Sequence, residues 1–215
     1  MISFQNNVFV FFGNAQDSFE KIKFDFPDLN FKKIRQTHSD IITISSDPPI
    51  EADSHYTSKS KEALIIATAD CMPIMIYCKQ THRAAAVHAG WRGVENKITE
   101  KTLQKLISTG SSKKDFQFWV GPHILQNSFE VEFSTYALLS KSQYNLKTED
   151  YMVYKDGKYY IALNKIIESQ IKNILNKTPE IVFLNIDTKI NSDYHSYRRD
   201  QKTKERNLSF IYLLD

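Results

Sequence analysis

Short apolar runs separated by turn residues fill the first third of the chain. They cover residues 8–12, 31–34, 41–44 and 63–68. Gly13-Asn14 follows the first run, and Asp47-Pro48-Pro49 follows the third. Runs of β-branched and aromatic residues bounded by Gly, Pro, Asn and Asp are typical of strands. The pattern therefore predicts a strand at each run.

The most apolar stretch, residues 63–78, is interrupted by Asp70-Cys71-Met72-Pro73. Because proline cannot donate a hydrogen bond within a sheet, this interruption predicts two strands joined by a corner. A small apolar run at residues 84–87 then leads into His88-Ala89-Gly90-Trp91-Arg92-Gly93. Apolar residues recur at helical spacing from Ile98 to Leu106. This segment is predicted to be a strand, a glycine turn and a helix.

The second half continues the alternation of strands and helices. Strands are predicted at residues 116–120, 180–186 and 208–213, and an amphipathic helix at residues 163–174. No internal repeat or linker interrupts the order. We therefore expect an α/β (mixed α+β) fold, with one domain over residues 1–215 in which helices flank mixed sheets.

Composition restricts the class of protein. Hydrophobic residues make up 41% of the 215 residues and charged residues 25%, which is typical of a globular chain. The formal net charge of +3 is small for a protein that grips a phosphate backbone, so no nucleic-acid partner is expected. Cys71 and Cys78 form neither a disulfide framework nor a CxxC pair, and the amino-terminal apolar run lacks the features of a leader or a bilayer span. These features predict a cytoplasmic protein without a membrane partner.

Three side chains with metal-binding or nucleophilic chemistry lie where predicted strands give way to loops: His38, Cys71 and His88. A thiolate and two imidazoles suit Zn²⁺, and three ligands leave a fourth position open, as in catalytic zinc sites. Their spacing matches no short metal motif, so each one taken alone is better explained as a core residue. Cys78 is assigned to the core.

Four blocks carry a family resemblance. They are Gln36-Thr37-His38, Ala69-Asp70-Cys71-Met72-Pro73, Val87-His88-Ala89-Gly90-Trp91-Arg92-Gly93 and Ser196-Tyr197-Arg198-Arg199-Asp200. In this order they resemble the signature blocks of the laccase-domain family, also named multicopper polyphenol oxidase, purine nucleoside phosphorylase or peptidoglycan editing factor. Ala52-Asp53, Gly121-Pro122 and Phe129-Glu130-Val131 also look like the family.

The resemblance implies a zinc ion bound by His38, Cys71 and His88, in a fold similar to that of deamidating toxins with a Cys-His pair. It implies phosphorolysis of adenosine, inosine, guanosine and methylthioadenosine, with adenosine deamination as a second reaction. Copper is the less favoured metal, since Met72 beside Cys71 is a generic candidate for an axial ligand. No oligomeric state is predicted.

Phosphorolysis requires groups that bind phosphate and assist the departing purine. Arg92 lies at a predicted helix N-terminus behind Gly90, and Arg198 and Arg199 offer bidentate guanidinium groups. A solvated basic strip is the alternative explanation for the arginine pair. His123 is a candidate general acid facing the pocket.

Asp70 has two interpretations: it orients a ligand histidine or a bound water, or it caps the turn. The chain also departs from the family pattern. Asp187-Thr188 replaces a common Cys-Thr pair, and Ser39 stands where glycine is common.

Two other functions remain open. Cys71 could act as a nucleophile activated by His88, with His38 or Asp70 orienting the imidazole, in a hydrolase or amidase that edits peptidoglycan precursors. A binding module with a structural zinc would need a fourth ligand, such as His123 or Asp70. Metal content and phosphate dependence would distinguish these functions.

Overall fold

The computed structural model contains two large β-sheets, a small third sheet and a set of helices. It describes residues 2–5, by their backbone alone, together with residues 7–201 and 203–215. The strands of this part are β1 (Ile2–Gln5), β2 (Val8–Phe12), β3 (Asn30–Lys32), β4 (Ile42–Ile44), β5 (Ser54–Thr57), β6 (Glu62–Thr68), β7 (Met72–Cys78), β8 (Arg83–Ala89), β9 (Phe116–Val120), β10 (Glu130–Val131), β11 (Met152–Lys155), β12 (Lys158–Ile161), β13 (Ile181–Phe183) and β14 (Asn207–Leu213). Its α-helices are α1 (Phe19–Asp25), α2 (Trp91–Glu95), α3 (Ile98–Ser108), α4 (Phe133–Ser140), α5 (Thr148–Tyr151) and α6 (Leu163–Leu175).

The two large sheets are mixed and lie face to face. The five-stranded sheet has the order β1-β2-β14-β6-β3, and the six-stranded sheet has the order β13-β9-β7-β8-β5-β4. Parallel pairs occur at β3 with β6, β4 with β5 and β13 with β9, and the other pairs in these sheets are antiparallel. The third sheet, β10-β12-β11, is antiparallel. The expected α/β (mixed α+β) class is confirmed.

Strand β7 is the centre of the core because both of its faces are buried. Met75 and Tyr77 pack between the two large sheets, whereas Ile74 and Ile76 pack with residues of α3 and α6 on the other face. Successive side chains of a strand point to opposite faces, so an uninterrupted apolar run fills both layers.

The chain changes sheets at the predicted corner. β6 ends at Thr68 in the five-stranded sheet, and β7 begins at Met72 in the six-stranded sheet. Asp70 between them has a φ of +82°, which non-glycine residues rarely adopt and which aspartate tolerates better than most. The interrupted apolar run therefore does form two strands joined by a corner.

Some elements differ from the expectation. The strand predicted at 31–34 is β3, Asn30–Lys32, and the strand predicted at 180–186 is confined to Ile181–Phe183. Helix α1, strand β5 and the β11–β12 hairpin carried no recognisable pattern. None of the described helices is long and apolar enough to cross a bilayer.

Gly121 provides a stability prediction for this packing. A Cβ atom at this position would overlap Phe12 Cδ1 and lie 2.9 Å from Pro73 Cγ. Phe12 is buried between the two large sheets and has little room to move. We expect Gly121→Ala to lower the free energy of unfolding by about 1–3 kcal/mol through overpacking. Urea unfolding measures this, and an unchanged midpoint would contradict the packing argument.

Candidate metal centre

Three separate chain segments bring His38, Cys71 and His88 together. His38 lies on the connection between β3 and β4, Cys71 lies in the β6–β7 corner, and His88 lies near the end of β8. Their ligand atoms all lie within 4.8 Å of one another. Cys71 Sγ is 3.7 Å from His38 Nε2, and the two imidazole centroids are 4.8 Å apart. One thiol and two imidazoles in this arrangement could hold a metal ion.

Asp53 contacts the candidate ligands, and the sequence interpretation assigned it no role. It directly precedes β5, and its side chain is fully buried. Its Oδ1 atom accepts hydrogen bonds from His88 Nδ1 at 2.7 Å and from the His38 backbone N–H at 3.1 Å. Its Oδ2 atom accepts three more, from the Thr37 N–H and from the N–H and hydroxyl of Ser39.

This carboxylate orients two of the three candidate ligands. The His88 Nδ1–H bond leaves Nε2 as the nitrogen available to a metal, the usual role of a carboxylate beside a ligand histidine. The bonds to residues 37–39 hold the turn in which His38 has a φ of +61°. The only sequence signal was that Ala52-Asp53 looks like the laccase-domain family, and it did not reveal which histidine the carboxylate contacts.

The electrostatics of the site favour a thiolate. Burial would raise the pKa of Cys71, but His88 and His38 outweigh this effect and lower it to about 6. Burial would lower the pKa of His88, but Cys71 and Asp53 raise it to about 9. Burial likewise opposes ionisation of Asp53, and its bonds with His88 and Ser39 lower its pKa to about 2. Cys71 therefore carries the charge that either a metal ligand or a nucleophile requires.

Gly90 leaves the space in which His38 and Cys71 approach each other. A Cβ atom at this position would lie 2.8 Å from His38 Cδ2 and 3.0 Å from Cys71 Sγ. Gly90 is also the N-cap of α2, so the helix begins beside the ligands. A side chain here would push the imidazole and the sulfur apart. The donor set and this space fit a bound metal ion.

The three ligands line a cavity of about 580 Å³, a volume within the usual range for small-molecule sites. Arg92, Arg198 and Arg206 contribute guanidinium groups to its wall. Its aromatic wall contains Trp91, Phe129 and Tyr197. The cavity thus combines positive charge with aromatic surface beside the candidate metal centre.

The cavity arginines differ in how their guanidinium groups are engaged. Arg198 donates to the Glu130 carbonyl at 3.1 Å and pairs with its carboxylate at 3.7 Å. Arg206 donates to carbonyl groups of its own loop. The Arg92 guanidinium lies 4.4 Å from the Trp91 ring centroid and has no hydrogen bond or ion pair with the described part of the chain. Arg92 is therefore the guanidinium most available to an anion.

Two predicted cavity residues lie elsewhere. Arg199 is outside the cavity wall, and its guanidinium donates to Asp200 and to backbone carbonyls of residues 188, 191 and 194. His123 is also outside the wall, is 1% exposed, and donates from Nδ1 to the Gly121 carbonyl. Burial lowers the pKa of His123, so its ring is neutral. The structure therefore places Arg199 and His123 away from the cavity wall, and phosphate binding by Arg199 and proton donation by His123 stay predictions that these positions do not support.

Asp70 does not contact a ligand histidine through any hydrogen bond in the structure. Its Oδ1 accepts from the Thr188 hydroxyl and its Oδ2 from the Arg198 backbone N–H, both at 2.7 Å. The orienting role considered for Asp70 belongs to Asp53, which bonds directly to His88. Neither Asp70 nor His123 belongs to the His38, Cys71 and His88 group.

The fold and the site define a mixed α/β protein with a Cys-His-His centre that could hold a metal. Residues 14–214 match the family model described as multi-copper polyphenol oxidoreductase laccase, and the chain belongs to this family. The predicted resemblance to the laccase-domain family is thereby confirmed.

Several known proteins resemble this chain. A protein of Clostridium acetobutylicum named purine nucleoside phosphorylase is 36% identical over 92% of this chain and 83% of its own length. A protein of the same name from Aquifex aeolicus is 34% identical over 83% of this chain and 81% of its own length. The crystal structure of the Bacillus licheniformis hypothetical protein YfiH has the same fold, with a TM-score of 0.87 at 19% identity over 97% of this chain and 93% of that one.

Proposed function

We propose that this protein is a cytoplasmic zinc-dependent purine nucleoside phosphorylase. Its substrates are phosphate and adenosine, inosine, guanosine or methylthioadenosine, and its products are the free purine and the sugar 1-phosphate. Adenosine deamination is a second activity of the same site. The convergence of His38, Cys71 and His88 at the wall of an arginine-containing cavity is the observation that carries this proposal. The names of the two relatives support the reaction.

Zinc is favoured over copper by the position of Met72, the candidate axial ligand. A blue-copper centre uses two histidines and a cysteine with a weak axial methionine. Met72, the methionine next to Cys71, is 1% exposed and packs in the hydrophobic core on the helical side of β7.

The proposed cytoplasmic location is supported by the cysteines. Cys71 and Cys78 are both free thiols, which agrees with a reducing compartment.

Each part of the cavity has a role in this reaction. His38, Cys71 and His88 would hold the zinc ion, which supplies a Lewis acid beside the substrate. Asp53 holds the proton on His88 Nδ1. Arg92 binds phosphate, because its guanidinium lacks another polar partner and offers several donors in one plane. Trp91, Phe129 and Tyr197 offer apolar surface to the purine and exclude water from it.

A single preparation tests the proposal. Purified protein is analysed for metal and assayed for free purine from inosine and adenosine, with and without phosphate. We expect one zinc ion per chain and purine release that requires phosphate. Equal release without phosphate would identify a hydrolase and contradict the proposal.

Hydrolysis by a cysteine nucleophile is the second candidate function. It is favoured by the lowered pKa of Cys71 and by the His88–Asp53 hydrogen bond, because the three side chains resemble a nucleophile, base and orienting acid. This function predicts thiol-dependent amide hydrolysis of a peptidoglycan precursor by metal-free protein. Retained activity after chelation would favour it over the zinc enzyme.

Arg92→Ala tests the proposed phosphate contact. Loss of a charged hydrogen-bonding group costs about 1.5–3 kcal/mol, so we expect the KM for phosphate to rise at least about tenfold with zinc content unchanged. Arg35→Ala is the control, because Arg35 is an exposed arginine that pairs with Glu51. An unchanged KM for phosphate would remove Arg92 from the anion site.

A further inference from the structure

The loop that carries Tyr197 and Arg198 is internally braced. Arg199 donates from one guanidinium to carbonyl groups of Thr188, Asn191 and Tyr194 and to the Asp200 carboxylate. The Asp200 Oδ2 atom also accepts from the Ser196 backbone N–H. Residues 188–200, which we name the arginine loop, are therefore held together by hydrogen bonds among their own residues.

One carboxylate joins the arginine loop to the metal-ligand corner. Asp70 accepts from the Thr188 hydroxyl at one end of the loop and from the Arg198 backbone N–H near the other, each at 2.7 Å. Its own backbone carbonyl accepts from the Ile124 N–H at 3.0 Å. Asp70 thus contacts two segments that are distant from it in sequence, the arginine loop and the segment at Ile124, and it immediately precedes the candidate ligand Cys71.

These contacts fix the position of the part of the cavity wall that the arginine loop forms. Tyr197 and Arg198 line the cavity, and the Arg198 guanidinium reaches Glu130 and lies 5.6 Å from the Phe129 ring centroid. The bond from the Arg198 N–H to Asp70 sets the distance between this wall and Cys71. Hydrogen bonds to a carboxylate are stronger than neutral ones, so two of them at one side chain form a firm anchor.

We propose that Asp70 is a positioning residue that fastens the arginine loop against the substrate cavity and does not act on the metal. The part that concerns substrate rests on the proposed function. Without this anchor, Tyr197 and Arg198 lose their fixed place beside the sugar and base of a nucleoside. The two ligand histidines keep their own support from Asp53.

The test substitution is Asp70→Gly, which removes both bonds and tolerates the backbone φ of +82°. Asp156→Gly is the matched control, since Asp156 is an exposed aspartate with a φ of +51° in the β11–β12 hairpin turn. Asp70→Asn is the rescue variant. Its side-chain oxygen can accept from the Arg198 N–H while its amide donates to the Thr188 hydroxyl, which can act as an acceptor.

Zinc-loaded proteins are compared by zinc content, amide hydrogen exchange and steady-state kinetics. For Asp70→Gly we expect full zinc content, faster exchange confined to the arginine loop, and a KM for inosine raised about tenfold with kcat changed much less. Asp156→Gly and Asp70→Asn should resemble the wild type in all three measurements.

Three results would overturn the proposal: wild-type exchange in the arginine loop of Asp70→Gly, loss of zinc from this variant, or a failure of Asp70→Asn to restore slow exchange. A wild-type protein that releases no purine with phosphate would instead refute the proposed function. Exchange and zinc content would then still decide the role of Asp70.

Discussion

Cys71→Ala is expected to abolish both zinc binding and phosphorolysis. The substitution removes the only thiol among the three candidate ligands and leaves two imidazoles. Loss of a hydrogen-bond partner of a ligand weakens metal binding by up to about 100-fold. Loss of the ligand itself should therefore weaken zinc binding by more than this. Metal analysis after dialysis and the phosphate-dependent purine assay measure the two effects.

Cys78→Ala is the matched control. Cys78 is fully buried in the core at the end of β7, away from the cavity wall. This variant should bind zinc as the wild type does while losing about 1 kcal/mol of stability through a smaller core side chain. A Cys71→Ala protein that keeps its zinc but loses activity would point to a nucleophile rather than a ligand.

Asp53→Asn is expected to weaken zinc binding about 10–100-fold. Five hydrogen-bond donors surround the Asp53 carboxylate, and an amide in either orientation places its own N–H group against two or more of them. If the amide faces His88, the imidazole must accept at Nδ1 and carry its proton on Nε2, the nitrogen that a metal needs. Chelator competition measures the affinity.

The same variant should be less stable even without metal. Unpaired buried donors cost about 1–3 kcal/mol each. Urea unfolding of the metal-free protein should therefore show a lower free energy of unfolding for the variant than for the wild type. Ser39→Ala is the milder comparison, because it keeps the carboxylate and removes only the bonds of the Ser39 hydroxyl, which donates to Asp53 and accepts from the Ile41 N–H. Equal zinc affinity in wild type and Asp53→Asn would show that the carboxylate does not orient His88.

Elements with strong apolar patterning were predictable from the sequence. The interrupted run at residues 63–78 gave β6, the corner and β7, since the proline and the polar residues mark the break. Strand β5, Ser54–Thr57, was missed because its residues are mostly polar and are buried by the strands and helices around them. Its position depends on contacts with β8 and β4 that no local pattern encodes.

The site was less predictable than the fold. The ligand set came from the family resemblance, since spacing alone does not reveal that His38, Cys71 and His88 converge. Arg198 and Arg199 are adjacent in sequence, yet one lines the cavity and the other braces the loop interior. An irregular loop has no periodicity from which side-chain direction follows. The roles of Asp53 and Asp70 were equally hidden, because both depend on partners far away in sequence.

The candidate ligands lie where the chain passes between the two large sheets. His38 lies on the connection from the five-stranded sheet to the six-stranded one, Cys71 lies in the corner that crosses between the same two layers, and His88 belongs to the six-stranded layer. An ion bound by all three would cross-link the two connections between the sheets to the six-stranded sheet. Since a ligand that binds only the native state stabilises it, the midpoint of thermal unfolding should rise with the concentration of free zinc.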